Sequence, residues 1–324
     1  MSIAVRSFAK INIGLKIGPV RPDKFHELRT VYQTLALHDV LTIEARPGDG
    51  IEIHCPHPGV PTGDTNICWR VAERMLRALK LRRKIRIDID KKLPVQGGMG
   101  AASSNGVAAM LGLEKALKKQ LTAHDRLKIA AEVGSDLPLF LIGGTVLGTG
   151  RGEQVYALDD LPRFHCVIAT PSVGVSTPAA FADWDIALAE SSKLTSASHS
   201  DKMAVFSQSL YEWLSGSSYS PTGVPDKGWD RAEALLLDLV HTGIENDFES
   251  VVFPMYPVID QVKRVLIRHG ARYASLSGSG STVYGLFTDK EHAVRAARAA
   301  EAKGVPARVT STLRRADYRK KIFV

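Results

Sequence analysis

The segment Pro94-Val95-Gln96-Gly97-Gly98-Met99-Gly100-Ala101-Ala102-Ser103-Ser104-Asn105 constrains this chain most. It joins the strand-like Lys84-Ile85-Arg86-Ile87-Asp88-Ile89-Asp90 to an apolar-periodic helix predicted from about Ser103 to Leu117. Small residues let backbone N–H groups approach an anion, and the helix that follows adds unpaired donors and the positive end of its dipole. The segment therefore reads as a phosphate cradle. Ser103, Ser104 and Asn105 are expected to cap the helix, and a serine hydroxyl there can ligate a phosphate-bound Mg²⁺. A tight strand-to-helix turn explains the glycines equally well. No acidic ribose partner is evident for a dinucleotide fingerprint, and no Lys follows the glycines as in a Walker A loop.

Two further segments carry charge into apolar surroundings. Ser7-Phe8-Ala9-Lys10-Ile11-Asn12-Ile13-Gly14-Leu15 alternates like a strand and sets Lys10 and Asn12 among apolar neighbours. Val133-Gly134-Ser135-Asp136-Leu137-Pro138-Leu139-Phe140 holds a single acid. An ammonium and a carboxylate at such positions are costly to bury unless they meet each other or a ligand. A purely structural Lys–Asp pair satisfies the same pattern.

Taken together, these segments resemble the GHMP kinase superfamily, which groups galacto-, homoserine, mevalonate and phosphomevalonate kinases. The resemblance narrows with Ala9-Lys10-Ile11-Asn12, then Arg21-Pro22-Asp23-Lys24-Phe25-His26-Glu27-Leu28 and Thr30-Val31-Tyr32-Gln33. This opening is similar to that of the diphosphocytidyl-methylerythritol kinases of non-mevalonate isoprenoid biosynthesis. Pro94 to Asn105, Gly134-Ser135-Asp136-Leu137-Pro138, Val175-Ser176-Thr177-Pro178 and Ser277-Gly278-Ser279-Gly280-Ser281 match later motifs of that family in order, from residue 6 to about residue 290. Departures accompany the match. Gln96 stands where the family usually has Gly or Ala, Ala101-Ala102 where it has two glycines, Lys24 where Gly is frequent and Phe25 where Tyr is common. Phe keeps the stacking face and loses the hydroxyl, while Gln96 either narrows the cradle or supplies an amide contact.

The resemblance implies an ATP-dependent, Mg²⁺-assisted phosphorylation of the 2-hydroxyl of diphosphocytidyl-methylerythritol in a cleft between two lobes. It implies that Asp136 takes or orients the hydroxyl proton with Lys10 as its partner. Pro94, Gly97, Gly98, Met99, Gly100, Ala101, Ala102, Ser103, Ser104 and Asn105 are then the nucleotide loop, with Ser103 or Ser104 at the metal. Asn12, Phe25, His26, Thr177 and Phe181 are the expected acceptor contacts, Phe25 and Phe181 by stacking on the cytosine and His26 at its edge. Ser277 to Ser281 either close over the phosphates or form a plain turn. Two alternatives stay open: a GHMP kinase acting on a different small alcohol, and a non-catalytic nucleotide-binding protein of that fold.

Composition fits these expectations without establishing them. With 324 residues, 44% hydrophobic and 23% charged, the chain is long enough for a large core or two lobes. No run of about 18 apolar residues suggests a membrane span, and the opening residues lack a charged-then-apolar signal segment, so a cytoplasmic location is expected. The three cysteines, Cys55, Cys68 and Cys166, read as buried thiols in a reducing compartment. His54-Cys55-Pro56-His57 looks metal-like, but consecutive residues on a strand or turn do not converge easily on one ion. The net charge of +8 raises nucleic-acid binding as a rival. The basic runs Arg70 to Arg86 and Arg314 to Lys321 carry no interleaved aromatic platform, the first lying largely on an apolar-periodic helix and the second reading as a solvated tail, so no nucleic-acid or membrane partner is expected. A small-molecule substrate is the expected partner, and the oligomeric state stays open between a monomer and a weak homodimer.

Strands are predicted near 3–17, 28–46, 50–55, 84–93, 144–157 and 164–171. Helices are predicted after Thr122, over Arg231–His241, from Pro257 to His269 with Gly270 as cap, and from Asp289 to Lys303 before Gly304. A strand pair is expected around Ser277–Ser281. The order indicates α+β. A boundary near 160 is expected, giving lobes 1–160 and 161–324, with a longer Ser-rich insertion near 184–229 and a linker-like character over 190–223.

Overall fold

The computed structural model describes residues 2–191, 199–216 and 231–324. It begins with two long antiparallel strands, β1 (Ser2–Val20) and β2 (His26–Arg46), joined by the turn that carries Phe25. β3 (Ile51–His54), α1 (Ile67–Ala78), β4 (Lys84–Asp90), α2 (Ala101–Leu117), α3 (Ala123–Val133), α4 (Leu137–Ile142), β5 (Thr145–Thr149) and β6 (Gln154–Ala157) follow. One edge of β2 is taken by β1 along its length. The other edge pairs with β4 near Val40–Arg46 and with β5 at Thr30–Gln33, and β3 joins β4 in parallel.

The second sheet is antiparallel, in the order β10 (Ala307–Ser311), β7 (His165–Ala169), β9 (Val283–Phe287), β8 (Tyr273–Leu276). α5 (Thr177–Ser191), α6 (His199–Gly216), α7 (Arg231–His241), α8 (Glu249–Met255) and α9 (Pro257–Arg268) lie between β7 and β8 in sequence. α10 (Lys290–Glu301) precedes β10, and α11 (Arg315–Lys321) follows it.

Period-two alternation builds the layers. On β7, Cys166 and Ile168 face the first sheet while Val167 and Ala169 face α9 and α10; on β9, Tyr284 and Leu286 oppose Val283 and Phe287 in the same way. The core between the sheets therefore holds Ala9, Ile11, Ile13, Val31 and Leu35 against Cys166, Ile168, Tyr284 and Leu286. The outer face of the first sheet is covered by α1, α2 and α3 through Val71, Met75, Val107, Met110, Leu113 and Ile129. Caps fix the helix starts. Asn66 Oδ1 accepts from Cys68 N at 2.8 Å, Thr122 Oγ1 from Asp125 N at 3.0 Å, and Asp289 Oδ1 from His292 N at 2.8 Å. Gly270 and Gly304, with φ of +98° and +76°, turn the chain beyond α9 and α10 as expected.

Several expectations are corrected. The helix after the glycines starts at Ala101 rather than Ser103, behind Gly100 in the left-handed region, and no side chain caps it. Ser103, Ser104 and Asn105 thus lie inside its first turns, where all-small residues leave periodicity no signal. The 144–157 strand is two, β5 and β6, turning between Thr149 and Gln154. The linker-like 190–223 contains α6, whose Met203, Phe206, Leu210 and Trp213 are buried at helical spacing beneath its serines. The remainder of that stretch, and of the 184–229 insertion, over 192–198 and 217–230, lies outside the described residues. The basic tail is α11, whose Tyr318 packs in the first core with Leu313 and Ile322. Its hydroxyl donates to Phe140 O at 2.6 Å.

Burial pushes the Cys68 thiol up to about 12 and the Cys166 thiol in the same direction, so neither is a thiolate near neutrality. It also raises the phenols of Tyr32, Tyr273, Tyr284 and Tyr318 above their ordinary 10.0. A group whose folded value is raised lends stability that is complete below the unfolded value and is lost as pH climbs through the folded one. Urea unfolding followed from pH 8 to 12 is expected to show a loss that begins near pH 9 with the two thiols and steepens near pH 10 with the phenols, each group contributing at most about 1.4 kcal/mol per pH unit. Tyr318→Phe is expected to make that alkaline loss shallower.

Candidate active site

Lys10 sits mid-β1, its residue only 3% exposed, beside a register shift between Phe8 and Lys10. Its backbone N–H donates to Met99 O at 3.0 Å, tying the strand to the glycine loop. The ammonium lies 3.4 Å from Asp136 Oδ2, donates to Asn12 Oδ1 at 2.6 Å and stands 5.5 Å from the centre of the Tyr32 ring. A hydrogen-bond chain fixes the Asn12 amide. Thr30 Oγ1 donates to Gly14 O at 2.7 Å, so it is left to accept from Asn12 Nδ2 at 2.9 Å, and Asn12 presents its oxygen to Lys10. Tyr284, from the second sheet, donates to Asn12 O at 2.7 Å. Lys10, Asn12 and Asp136 are thus brought together, and Thr30, Tyr32 and Tyr284, to which the sequence assigns no role, join them. Thr30 and Tyr32 lay inside a quoted motif; Tyr284 had no local signal beyond alternation.

The glycine loop is held at both ends. Asp39, fully buried, accepts from Lys91 Nζ, Lys92 N and Leu93 N, each at 2.7 Å, just ahead of Pro94. Further along, Ser277 Oγ donates to Gly98 O at 3.0 Å, and a Cβ on Gly98 would run into the Ser277 carbonyl oxygen. With φ of +73°, Gly98 is a position that only glycine fills without strain. Gly100 lies directly against Lys10, since a Cβ there would stand 3.0 Å from Lys10 Cγ and from Phe140 Cζ. The Ser277–Ser281 turn is itself held by Asn246, whose Nδ2 donates to Leu276 O and Gly278 O at 2.8 Å. Asn246 and Asp39 were invisible in the sequence because their partners are far along the chain.

Beside the loop opens a cavity of about 390 Å³ lined by Val60, Pro61, Ile67, Pro94, Val95, Met99, Ser103 and Asn105 among others. Ser103 lines it and Ser104 is buried. Asn105 Oδ1 is buried without a protein hydrogen-bond partner, an unusual state for an amide oxygen. Gln96 has φ of +59°, and Lys24 in the β1–β2 turn has +67°, so both of these non-glycine residues fall at left-handed positions.

At the far end of the β1–β2 pair, the His26 ring stacks on Phe181 of α5 with centroids 5.0 Å apart and planes 6° from parallel. Its Nδ1 faces Gly18 O at 3.2 Å and its Nε2 faces Asp185 Oδ1 at 3.3 Å. Phe181 meets Phe248 edge-on at 4.9 Å. Phe25 is 52% exposed beneath the Arg151 guanidinium, 4.8 Å from its ring centre. Thr177 Oγ1 lies 2.8 Å from Ser279 Oγ, linking the start of α5 to the Ser277–Ser281 turn. Among the described residues no helix is long and apolar enough to cross a membrane, and no group of three or more His, Cys, Asp or Glu is placed to hold a metal ion.

Residues 66–144 match the family described as GHMP kinases N terminal domain, and residues 231–306 the family GHMP kinases C terminal. The 4-diphosphocytidyl-2-C-methyl-D-erythritol kinase of Geobacter sulfurreducens is 33% identical over 301 residues, covering 93% of this chain and 95% of that one. The enzyme of the same name from Solibacter usitatus is 34% identical over 292 residues, covering 90% and 83%. Among solved structures, a 4-(cytidine 5'-diphospho)-2C-methyl-D-erythritol kinase superposes with a TM-score of 0.70 at 26% identity, covering 95% of this chain and 98% of that one. A homoserine kinase from Cytophaga hutchinsonii shares the fold, with a TM-score of 0.72 at 19% identity over 96% and 94% of the two chains. With its paired sheets, its glycine loop and these relatives, the chain belongs to the 4-diphosphocytidyl-2-C-methyl-D-erythritol kinase family of the GHMP kinases.

Proposed function

We propose that the protein transfers the γ-phosphoryl group of ATP to the 2-hydroxyl of 4-diphosphocytidyl-2-C-methyl-D-erythritol. The observation that carries the reading is the buried Lys10 ammonium, paired with Asp136 and pressed against the glycine loop through Gly100. Phosphoryl transfer needs an in-line hydroxyl, neutralised phosphate oxygens and a group that takes or orients the hydroxyl proton. Asp136 is the acid we assign to the proton and Lys10 the cation beside the transferred group. Asp136 acts by aiming the alcohol and accepting its proton as the new P–O bond forms. Proton transfer need not run ahead, because the transition state is loose.

The residues fit a nucleotide. Gly98 and Gly100 give phosphates access to backbone N–H groups at the start of α2, and Asn105, whose buried Oδ1 has no protein donor, lines the cavity beside them. We assign Pro94 and the Gly97–Asn105 segment to ATP. Of the two serines expected at Mg²⁺, Ser103 lines the cavity and is the better placed. The ion, when bound, would neutralise charge on the phosphates. Asn12, Phe25, His26, Thr177 and Phe181 are assigned to the acceptor, the aromatic rings to its cytosine. A cytoplasmic setting and a lobe boundary near 160 belong to the same reading.

ADP release with Mg²⁺ and ATP is expected with the cytidylated acceptor and not with mevalonate, homoserine or galactose; turnover of one of those instead would overturn the acceptor assignment. Asp136→Asn is expected to lower kcat by about 10²–10⁴ while ATP affinity holds, and unimpaired turnover would remove Asp136 from the mechanism. His26→Ala is expected to raise KM for the acceptor by about tenfold, one lost hydrogen bond, and to spare ATP binding by calorimetry.

A further inference from the structure

Asp136 occupies the N-cap position of α4, where an Asp side chain ordinarily turns back to accept from the second or third helical N–H. Here it does not cap. The second helical residue is Pro138, which has no N–H, so Leu139 alone is left as the local donor. The carboxylate is instead spread between two other elements, with Oδ2 3.4 Å from Lys10 on β1 and Oδ1 accepting from the Tyr32 hydroxyl on β2 at 3.2 Å.

Tyr32 is built to make that contact. Its ring is buried, and a buried phenol needs a partner for its hydroxyl. Burial, reinforced by the charge and hydrogen bond of Asp136 and the charge of Glu153, holds its proton well above the ordinary range, so it stays a donor. The ring lies in a slot that two glycines leave open. A Cβ on Gly148 would strike its Cε2, and one on Gly152 would strike the phenol oxygen.

We infer that Tyr32 is a positioning residue for the transfer, its hydroxyl holding the Asp136 carboxylate toward the acceptor alcohol and away from the start of its own helix. No proton leaves the phenol. The inference rests on the proposed reaction only for its kinetic readout.

The test compares wild type, Tyr32→Phe and Gly148→Ala, the second keeping the phenol but pushing its ring, and with it the hydroxyl, away from Asp136. In both variants kcat is expected to fall about ten- to a hundredfold, the cost of a misplaced catalytic group, with KM for the acceptor and Kd for ATP within about twofold. In an Asp136→Asn background, Tyr32→Phe is expected to cost nothing further, because the phenol acts only through that carboxylate. A full loss in that background, or a rise in KM at unchanged kcat, overturns the inference. A crystal structure of Tyr32→Phe gives a readout that needs no substrate. The Asp136 carboxylate within hydrogen-bond distance of Leu139 N supports the inference, and the carboxylate unmoved against Lys10 overturns it. Failure of wild type on the cytidylated acceptor counts against the proposed reaction and leaves that structural readout standing.

Discussion

A buried ammonium organises this protein. Taking Lys10 out of water costs several kcal/mol unless its charge and its donors are met. Its neighbours meet them from different directions: Asp136 ahead of α4, Asn12 two residues along the same strand, and the face of Tyr32 on β2. Each of these is fixed by something further out. Thr30 and Gly14 set the sense of the Asn12 amide, and Tyr284 reaches across from the second sheet to the Asn12 carbonyl. The charge is thus a meeting point of both sheets, and it is Asp136 that keeps it from being an uncompensated cation in the core.

The same economy governs the glycine loop. Its backbone must come close to Lys10 on one side and to the Ser277–Ser281 turn on the other, and the missing side chains at Gly98 and Gly100 are what allow both approaches. Asp39 draws in the incoming chain by accepting from three of its donors, and Asn246 draws in the opposing turn by donating to two of its carbonyls. A flexible-looking run of small residues is therefore clamped by buried polar groups, which is what a site needs if its donors are to be in place before the ligand arrives.

The sequence made the chemistry more legible than the packing. Lys10, Asn12, Asp136 and the glycine loop stand out because charge or smallness is out of keeping with an apolar surrounding, and that signal is local. Alternation likewise exposed β1, β2 and β4. What stayed hidden depends on distant partners. Asp39 is one acid among many until Lys91 folds onto it, and Tyr32 looks like a core aromatic until Asp136 arrives more than a hundred residues later. α6 was obscured because its serines lowered the average hydrophobicity, although Phe206, Leu210 and Trp213 kept their helical spacing. The start of α2 was misplaced because a left-handed Gly100 and two alanines carry no capping side chain.

Residues 313–323 return to the first core, although β10 has just completed the second sheet. Leu313, Tyr318 and Ile322 pack beside residues of α2 and α4, Arg6 N–H donates to Ile322 O at 2.7 Å, and Val5 bridges Phe323. The earliest strand is thus zipped to some of the last residues described, and contacts between positions so far apart in the chain are slow to form. On a ribosome, the first sheet would emerge and gather its helices with this strip of its core still unfilled, until the whole of the second sheet had been translated.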